Sequence, residues 1–119
     1  MSLVLVIDDD PQVRTWIRDV LEMEGLAVTS AADGRRALQL ASRQKPAVAL
    51  VDVTLPFMDG AAVTSALRGL LGERFPIVLM SADAGVGEKA ARVAATAYLQ
   101  KPFTIDDLLG AIQAGLSAE

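Results

Sequence analysis

Five short apolar runs alternate along the chain with amphipathic stretches of helical periodicity, and the second run is the weakest of them. The runs are continuous rather than alternating, which is typical of strands buried on both faces of a parallel sheet. Strand and helix succeed each other five times, and this order favours right-handed crossovers with helices on both faces of one sheet. The pattern therefore predicts an α/β fold, a single doubly wound (βα)5 three-layer sandwich. The predicted strands cover residues 3–7, 27–31, 47–51, 77–80 and 97–100.

Capping residues mark where the helices begin and end. Asp10 is expected to cap the first helix, and Gly25 supplies its C-terminal stop. Thr104 is expected to cap the last helix. The third and fourth helices are expected over residues 60–71 and 86–95.

Polar side chains follow four of the apolar runs. Asp8 and Asp9 come directly after the first run, Asp52 after the third, Ser81 after the fourth and Lys101 after the fifth. The carboxyl ends of neighbouring parallel strands meet at one sheet edge, which is where open α/β sheets bind ligands. Three carboxylates about 5 Å apart repel one another by roughly 3 kcal/mol per pair at an effective dielectric near 20, so they need a counter-charge. We therefore expect this edge to hold a cation and a phosphoryl group, and oxygen ligands without histidine or cysteine favour Mg²⁺.

Composition excludes several classes of protein. The chain has 119 residues, of which 52% are hydrophobic, so one domain spanning residues 1–119 can bury a core without disulfides. A net charge of -4 argues against direct nucleic-acid binding. No apolar run approaches the roughly 20 residues that a membrane span requires, and the start does not resemble a signal peptide. A cytoplasmic protein is the resulting expectation.

Four motifs, in this order and at these spacings, carry a family resemblance. They are Val-Ile-Asp-Asp-Asp at 6–10, Asp52 followed by Leu-Pro-Phe-Met-Asp-Gly at 55–60, Ser-Ala at 81–82, and Tyr-Leu-Gln-Lys-Pro-Phe at 98–103. With them the chain resembles the receiver domain of bacterial two-component response regulators, a CheY-like, flavodoxin-like fold. The resemblance implies a five-stranded parallel sheet in the order 2-1-3-4-5.

The resemblance also implies a set of ligands for Mg²⁺. It assigns Asp9 and Asp52 as direct carboxylate ligands and Asp8 as a ligand that acts mainly through water. The backbone carbonyl of Thr54 is implied as a further ligand.

Asp52 is the expected phosphoacceptor, whose carboxylate would attack a phosphoryl group and form an aspartyl phosphate. The chain contains no histidine, so the phosphoryl group is expected to come from outside it, on a partner's histidine or on a small phosphodonor. The resemblance implies a sensor histidine kinase or a phosphotransfer protein as that partner. Lys101 and Ser81 would contact the phosphoryl oxygens, which is the main task in phosphoryl transfer. A cis peptide bond between Lys101 and Pro102 is implied by the resemblance. Such a domain phosphorylates itself and is not a turnover enzyme.

Four residues are expected to control switching and lifetime. Phosphorylation would draw Ser81 toward the phosphoryl group and bias Tyr98 inward, which would change the surface of the fourth helix, fifth strand and last helix. An effector would bind that surface. Thr54 and Asp83 occupy positions that in the family flank the path of the attacking water, and the resemblance implies that they tune dephosphorylation.

The chain departs from the family around the fourth helix. The interval from Ser81 to Lys101 is about two residues shorter than is usual in the family, and Ala94 stands where the family commonly has glycine. These departures concern the fourth helix and the partner surface that includes it.

Three alternatives remain open at this point. The aspartates at 8–10 could simply cap a helix. A haloacid-dehalogenase-type phosphatase also uses an aspartate after its first strand, with a second acid two positions later. Asp8 and Asp10 match this pattern, but Gln12 and the short chain do not. A receiver-like binding module that is never phosphorylated is the third alternative.

Overall fold

The computed structural model describes residues 2–118 as five parallel strands that alternate with five helices. The sheet order is β2-β1-β3-β4-β5, which confirms the predicted doubly wound sandwich and its strand order. The predicted domain bounds include residues 1 and 119, which lie outside the described range. No helix within that range is long and apolar enough to cross a membrane. The strands are β1 (Leu3–Ile7), β2 (Ala27–Ala31), β3 (Val48–Asp52), β4 (Ile77–Ser81) and β5 (Ala97–Gln100), and the helices are α1 (Pro11–Met23), α2 (Gly34–Arg43), α3 (Gly60–Leu71), α4 (Val86–Arg92) and α5 (Ile105–Leu116).

Two hydrophobic cores lie on opposite faces of the sheet. In β1, Leu5 and Ile7 belong to the core that α2, α3 and α4 cover, whereas Val4 and Val6 belong to the core that α1 and α5 cover. All four side chains are fully buried. Successive side chains of a strand point to opposite faces, so a strand covered on both faces must be apolar at every position. This requirement explains the continuous apolar runs.

Side-chain caps begin four of the helices at the sheet edge that carries the polar residues. Asp10 accepts a hydrogen bond from a backbone amide of α1, Asp33 from one of α2 and Asp59 from one of α3. Thr104 begins α5 with a reciprocal capping box. Only α4 starts without a side-chain hydrogen bond among the described helices, at Gly85. The predicted caps at Asp10 and Thr104 are thus confirmed.

The predicted extent of α4 was wrong at its C-terminal end, because the helix stops at Arg92 rather than continuing to residue 95. Ala94 adopts a left-handed backbone with φ 51°, which takes the chain out of the helix. The guanidinium of Arg68 on α3 donates to the carbonyls of Val93 and Ala94 there. Alanine has the highest intrinsic helix propensity, but this contact between distant segments outweighs it.

Candidate functional site

The carboxyl edge of the sheet collects the polar residues that follow its strands. Asp8 follows β1, Asp52 and Ser81 are the last residues of β3 and β4, and Lys101 follows β5. The four strands are consecutive neighbours in the sheet, so their ends lie side by side. The backbone amide of Lys101 donates to the carbonyl of Ser81 at 2.7 Å, which ties the end of β5 to that of β4. The structure therefore brings the predicted residues to one edge.

Lys101 joins two carboxylates from different strands. Its Nζ donates to Asp8 Oδ2 at 2.7 Å and to Asp52 Oδ2 at 2.8 Å. Asp8 is completely buried, and 6% of Asp52 is exposed. The peptide bond between Lys101 and Pro102 is cis, as predicted. One ammonium group therefore lies between two buried carboxylates.

Burial and pairing act in opposite directions on these groups. Burial raises the pKa of Asp52, and the hydrogen bonds from Lys101 and the Thr54 amide only partly offset it. Burial alone would lower the pKa of Lys101, but its hydrogen bonds to Asp52 and Asp8 outweigh this and raise it. The lysine therefore stays protonated at neutral pH, whereas burial makes the charged form of Asp52 less favourable.

Asp9 adds a third carboxylate to the cluster. One oxygen each from Asp8, Asp9 and Asp52 lies within 4.8 Å of the others, and Asp9 is exposed to solvent. The amide of Thr54 donates to Asp52 Oδ1 at 2.9 Å and so orients that carboxylate. Three carboxylates face a single ammonium, so negative charge remains uncompensated. An all-oxygen donor set open to water on one side fits Mg²⁺, which keeps several water ligands in proteins.

The capping explanation applies to only one of the three N-terminal aspartates. Asp10 Oδ1 accepts from the amide of Gln12 at 2.9 Å and caps α1. Asp8 Oδ1 accepts from the amide of Asp10, but its second oxygen bonds to Lys101. A helix cap therefore does not account for Asp8.

Comparison with known proteins places the chain in a family. The family described as response regulator receiver domain matches residues 4–113. The chain belongs to this family. Response regulator MprA of Mycolicibacterium vanbaalenii is 39% identical over 113 residues, and the match covers 93% of this chain and 48% of that protein. MprA of Mycobacterium tuberculosis is 38% identical, and the match covers 93% of this chain and 49% of that protein. This receiver domain thus spans about half the length of these relatives.

Solved structures agree with this assignment. Chemotaxis response regulator CheY4 of Vibrio cholerae superposes with a TM-score of 0.88 at 34% identity, covering 98% of this chain and 99% of that one. The receiver domain of sensor histidine kinase PA1611 of Pseudomonas aeruginosa superposes with a TM-score of 0.85 at 32% identity, covering 98% of both chains. That structure has magnesium coordinated in the active site cleft. The resemblance predicted from the motifs is confirmed, and the chain is a receiver domain of two-component signal transduction.

In this receiver domain Ser81 is buried and connected to the loop before α4. Its Oγ accepts from the backbone amide of Asp83 at 3.0 Å. The Asp83 carboxylate in turn accepts from the amide of Gly85 and from Lys89 Nζ, both at 2.9 Å. The hydrogen bond from the Gly85 amide, and to a smaller extent that from Lys89, lowers the pKa of Asp83. The contact with Lys89 could not be predicted from helical spacing, because Asp83 lies outside the helix.

Tyr98 points outward and is 55% exposed. Its ring lies beside Gly87 on α4, since a Cβ at Gly87 would be 3.3 Å from Tyr98 Cζ. The structure therefore has Tyr98 in the outer of the two positions expected for it. Its movement on phosphorylation stays a prediction.

Proposed function

We propose that this receiver domain accepts a phosphoryl group on Asp52 in a Mg²⁺-dependent reaction and thereby changes a partner-binding surface. The observation that carries the proposal is the placement of Lys101 against both Asp52 and Asp8, beside the strand end that bears Ser81. A buried nucleophile with an adjacent cation and a neighbouring hydroxyl meets the needs of phosphoryl transfer, which are positioning and charge neutralisation.

The proposed metal ligands are Asp9 and Asp52, with Asp8 acting through water and the Thr54 carbonyl as a further ligand. Bound Mg²⁺ would neutralise charge on the phosphoryl oxygens. The inference is supported by the three converging carboxylates and by the magnesium present in the related receiver domain of PA1611.

In the proposed reaction an Asp52 oxygen attacks the phosphorus of a phosphohistidine. The new P–O bond forms as the P–N bond breaks, and the departing imidazole keeps the electron pair and takes up a proton from water. Lys101 and the Ser81 hydroxyl donate to the phosphoryl oxygens. The 119 residues contain no histidine, so the phosphohistidine lies outside them, and we propose that a sensor kinase or phosphotransfer protein carries it. Each domain thus takes up one phosphoryl group and is not a turnover enzyme.

The proposed switch begins at Ser81. Donating its hydroxyl to a phosphoryl oxygen would pull Ser81 toward Asp52 and disturb its contact with the Asp83 amide. Tyr98 would then turn inward and change the face formed by α4, β5 and α5, where an effector would bind. The net charge of -4 disfavours direct nucleic-acid binding at this face. An unchanged Tyr98 ring signal in NMR spectra after phosphorylation would rule out this switch.

The phosphatase alternative loses support in the structure. It requires Asp10 as a second acid beside Asp8, but the Asp10 carboxylate caps α1 by accepting from Gln12. The cytoplasmic location inferred from the sequence stays a prediction.

Intact-mass measurement after incubation with acetyl phosphate tests the proposal. We expect one phosphoryl adduct on the wild type, and its formation should require Mg²⁺. The adduct should be absent from Asp52→Asn. It should persist in Asp10→Asn, the matched control, because the Asp10 side chain caps α1. No adduct with acetyl phosphate or with any phosphorylated donor protein would favour a binding module that is never phosphorylated. An adduct that remains in Asp52→Asn would refute Asp52 as the acceptor.

A further inference from the structure

We propose that Arg68 latches the C-terminal end of α4 to α3 and so sets how often α4 opens locally. Arg68 lies in the third turn of α3, and α4 forms one side of the face at which an effector is proposed to bind. The role of that face rests on the proposed function, whereas the latch itself concerns the unphosphorylated domain. Arg68 is a positioning residue, because it acts on the face through α4.

The guanidinium of Arg68 reaches main-chain carbonyls in two separate loops. Its Nε donates to the carbonyl of Phe75, just before β4, at 3.2 Å. Its Nη1 donates to the carbonyl of Val93, and its Nη2 donates to that of Ala94 at 2.8 Å. A hydrogen bond from a charged donor is about twice as strong as one between neutral groups. One side chain therefore holds α3, the loop before β4 and the turn after α4 together.

Little else holds α4 in place. The helix spans seven residues, and isolated helices shorter than about 12–15 residues are marginal in water. It begins at Gly85 without a side-chain hydrogen bond, and its buried side chains, Val86 and Ala90, are both small. It ends in the turn at Ala94, whose left-handed φ of 51° is unfavourable for alanine. The hydrogen bonds from Arg68 are therefore a large part of what keeps α4 closed.

Opening of α4 changes the surroundings of Tyr98. The outward ring lies against Gly87 in α4, where a Cβ would be 3.3 Å from Tyr98 Cζ and 3.4 Å from its hydroxyl oxygen. When α4 opens, the outward position of the ring loses this contact and becomes less favourable relative to the inner one. Arg68 thus favours the outward position of Tyr98 in the unphosphorylated domain.

Amide hydrogen exchange of the unphosphorylated protein, followed by NMR, tests the latch. In the wild type, the amides of α4 and those of Ala94 and Ala95, which donate to carbonyls of α4, should exchange faster than the amides of β1 and β3. Arg68→Met should accelerate exchange of the α4 amides about tenfold or more, because it removes hydrogen bonds from a charged group. Arg68→Lys should recover part of the protection, since a single ammonium lacks the planar fork of donors that reaches both loops.

Two control variants separate the latch from other effects of a substitution. Arg74→Met replaces an exposed arginine in the loop after α3 and should leave α4 exchange unchanged. Ile17→Val lowers the stability of the whole domain from the core on the opposite face of the sheet, and it should also leave local opening of α4 unchanged. Ala94→Gly in the Arg68→Met background should slow α4 exchange about fivefold, because it relieves the left-handed backbone of the turn.

The ring signal of Tyr98 provides a second readout, and it is unambiguous because the chain has one tyrosine. It should shift or broaden in Arg68→Met and stay as in the wild type in both controls. The proposal is overturned if wild-type α4 amides exchange no faster than those of β1 and β3. Unchanged α4 exchange or an unchanged Tyr98 signal in Arg68→Met would overturn it as well. Failure of acetyl-phosphate labelling would instead overturn the proposed function and leave the latch standing, because the exchange experiment uses unphosphorylated protein throughout.

Discussion

Replacing Lys101 with methionine should destabilise the metal-free protein strongly, because it leaves two buried carboxylates without their ammonium. The Nζ atom is 2.7 Å from Asp8 Oδ2 and 2.8 Å from Asp52 Oδ2. At an effective dielectric near 20, each of these contacts amounts to about 6 kcal/mol of Coulomb energy before desolvation is subtracted. Breaking a buried pair typically costs about 3–5 kcal/mol. The Lys101 side chain is 23% exposed, so we expect a loss near the lower end of that range.

The loss should depend on pH. Burial already raises the pKa of Asp52 in the folded protein, and removing Lys101 removes a contact that lowers it. A carboxyl whose folded-state pKa exceeds its unfolded value stabilises the fold fully below the unfolded pKa, and this contribution is lost as pH rises through the folded pKa. The deficit of Lys101→Met should therefore be largest at neutral pH and shrink in acid. Mg²⁺ should recover part of it at neutral pH.

Urea unfolding followed by circular dichroism provides the assay, at several pH values between about 4 and 8 and in EDTA or Mg²⁺. A typical domain has a free energy of unfolding of about 5–15 kcal/mol, so the variant should still fold. Lys89→Met is the matched control, because its ammonium contacts only an exposed carboxylate and its loss should be much smaller. Equal losses in the two variants, or a Lys101→Met deficit that does not change with pH, would refute the reasoning.

Three further predictions concern the fold around the site. Asp52→Asn should raise the free energy of unfolding of the metal-free protein at neutral pH, because burial raises the pKa of that carboxyl. The gain should vanish in acid, where the wild-type carboxyl is protonated, and urea midpoints measured at both pH values test this. Ala94→Gly should raise the free energy of unfolding by about 1 kcal/mol, because it relieves the left-handed φ of 51°. Ala91→Gly, inside α4, is the control and should lower the free energy of unfolding. A lower free energy of unfolding in both variants would contradict the assignment of strain to Ala94. Gly60→Ala should cost about 2 kcal/mol, because its Cβ would lie 2.8 Å from the backbone oxygen of Asp52. It should also slow acetyl-phosphate labelling, and Gly69→Ala, which meets no atom within 4 Å, should do neither.

Much of the architecture follows from short-range information in the sequence. Continuous apolar runs indicated strands buried on both faces, and Asp10 and Thr104 marked two helix starts that the structure confirms. The convergence of Asp52 and Lys101 followed from topology, since parallel strands place their carboxyl ends at one edge. The order of the strands came from the family resemblance, because periodicity carries no information on which strands are neighbours.

The end of α4 shows where such reasoning stops. Its alanine-rich sequence favoured helix to residue 95, but Arg68, 26 residues before Ala94, donates to the carbonyls beyond Arg92. Intrinsic helix propensities differ by less than about 1 kcal/mol for ordinary residues, so one contact of this kind can decide where a helix ends.

The sequence alone determined the class of fold, most element boundaries and the kinds of group at the sheet edge, because these depend on periodicity, on caps and on the residues that end each strand. Only the tertiary structure decided how those groups pair. Lys101 and Asp8 are 93 residues apart, and their hydrogen bond exists only after β1 and β5 are in one sheet. The contact of Lys89 with Asp83 likewise depends on where the loop places the carboxylate relative to α4. Such pairings are set by distances in space, which neither spacing nor propensity along the chain encodes.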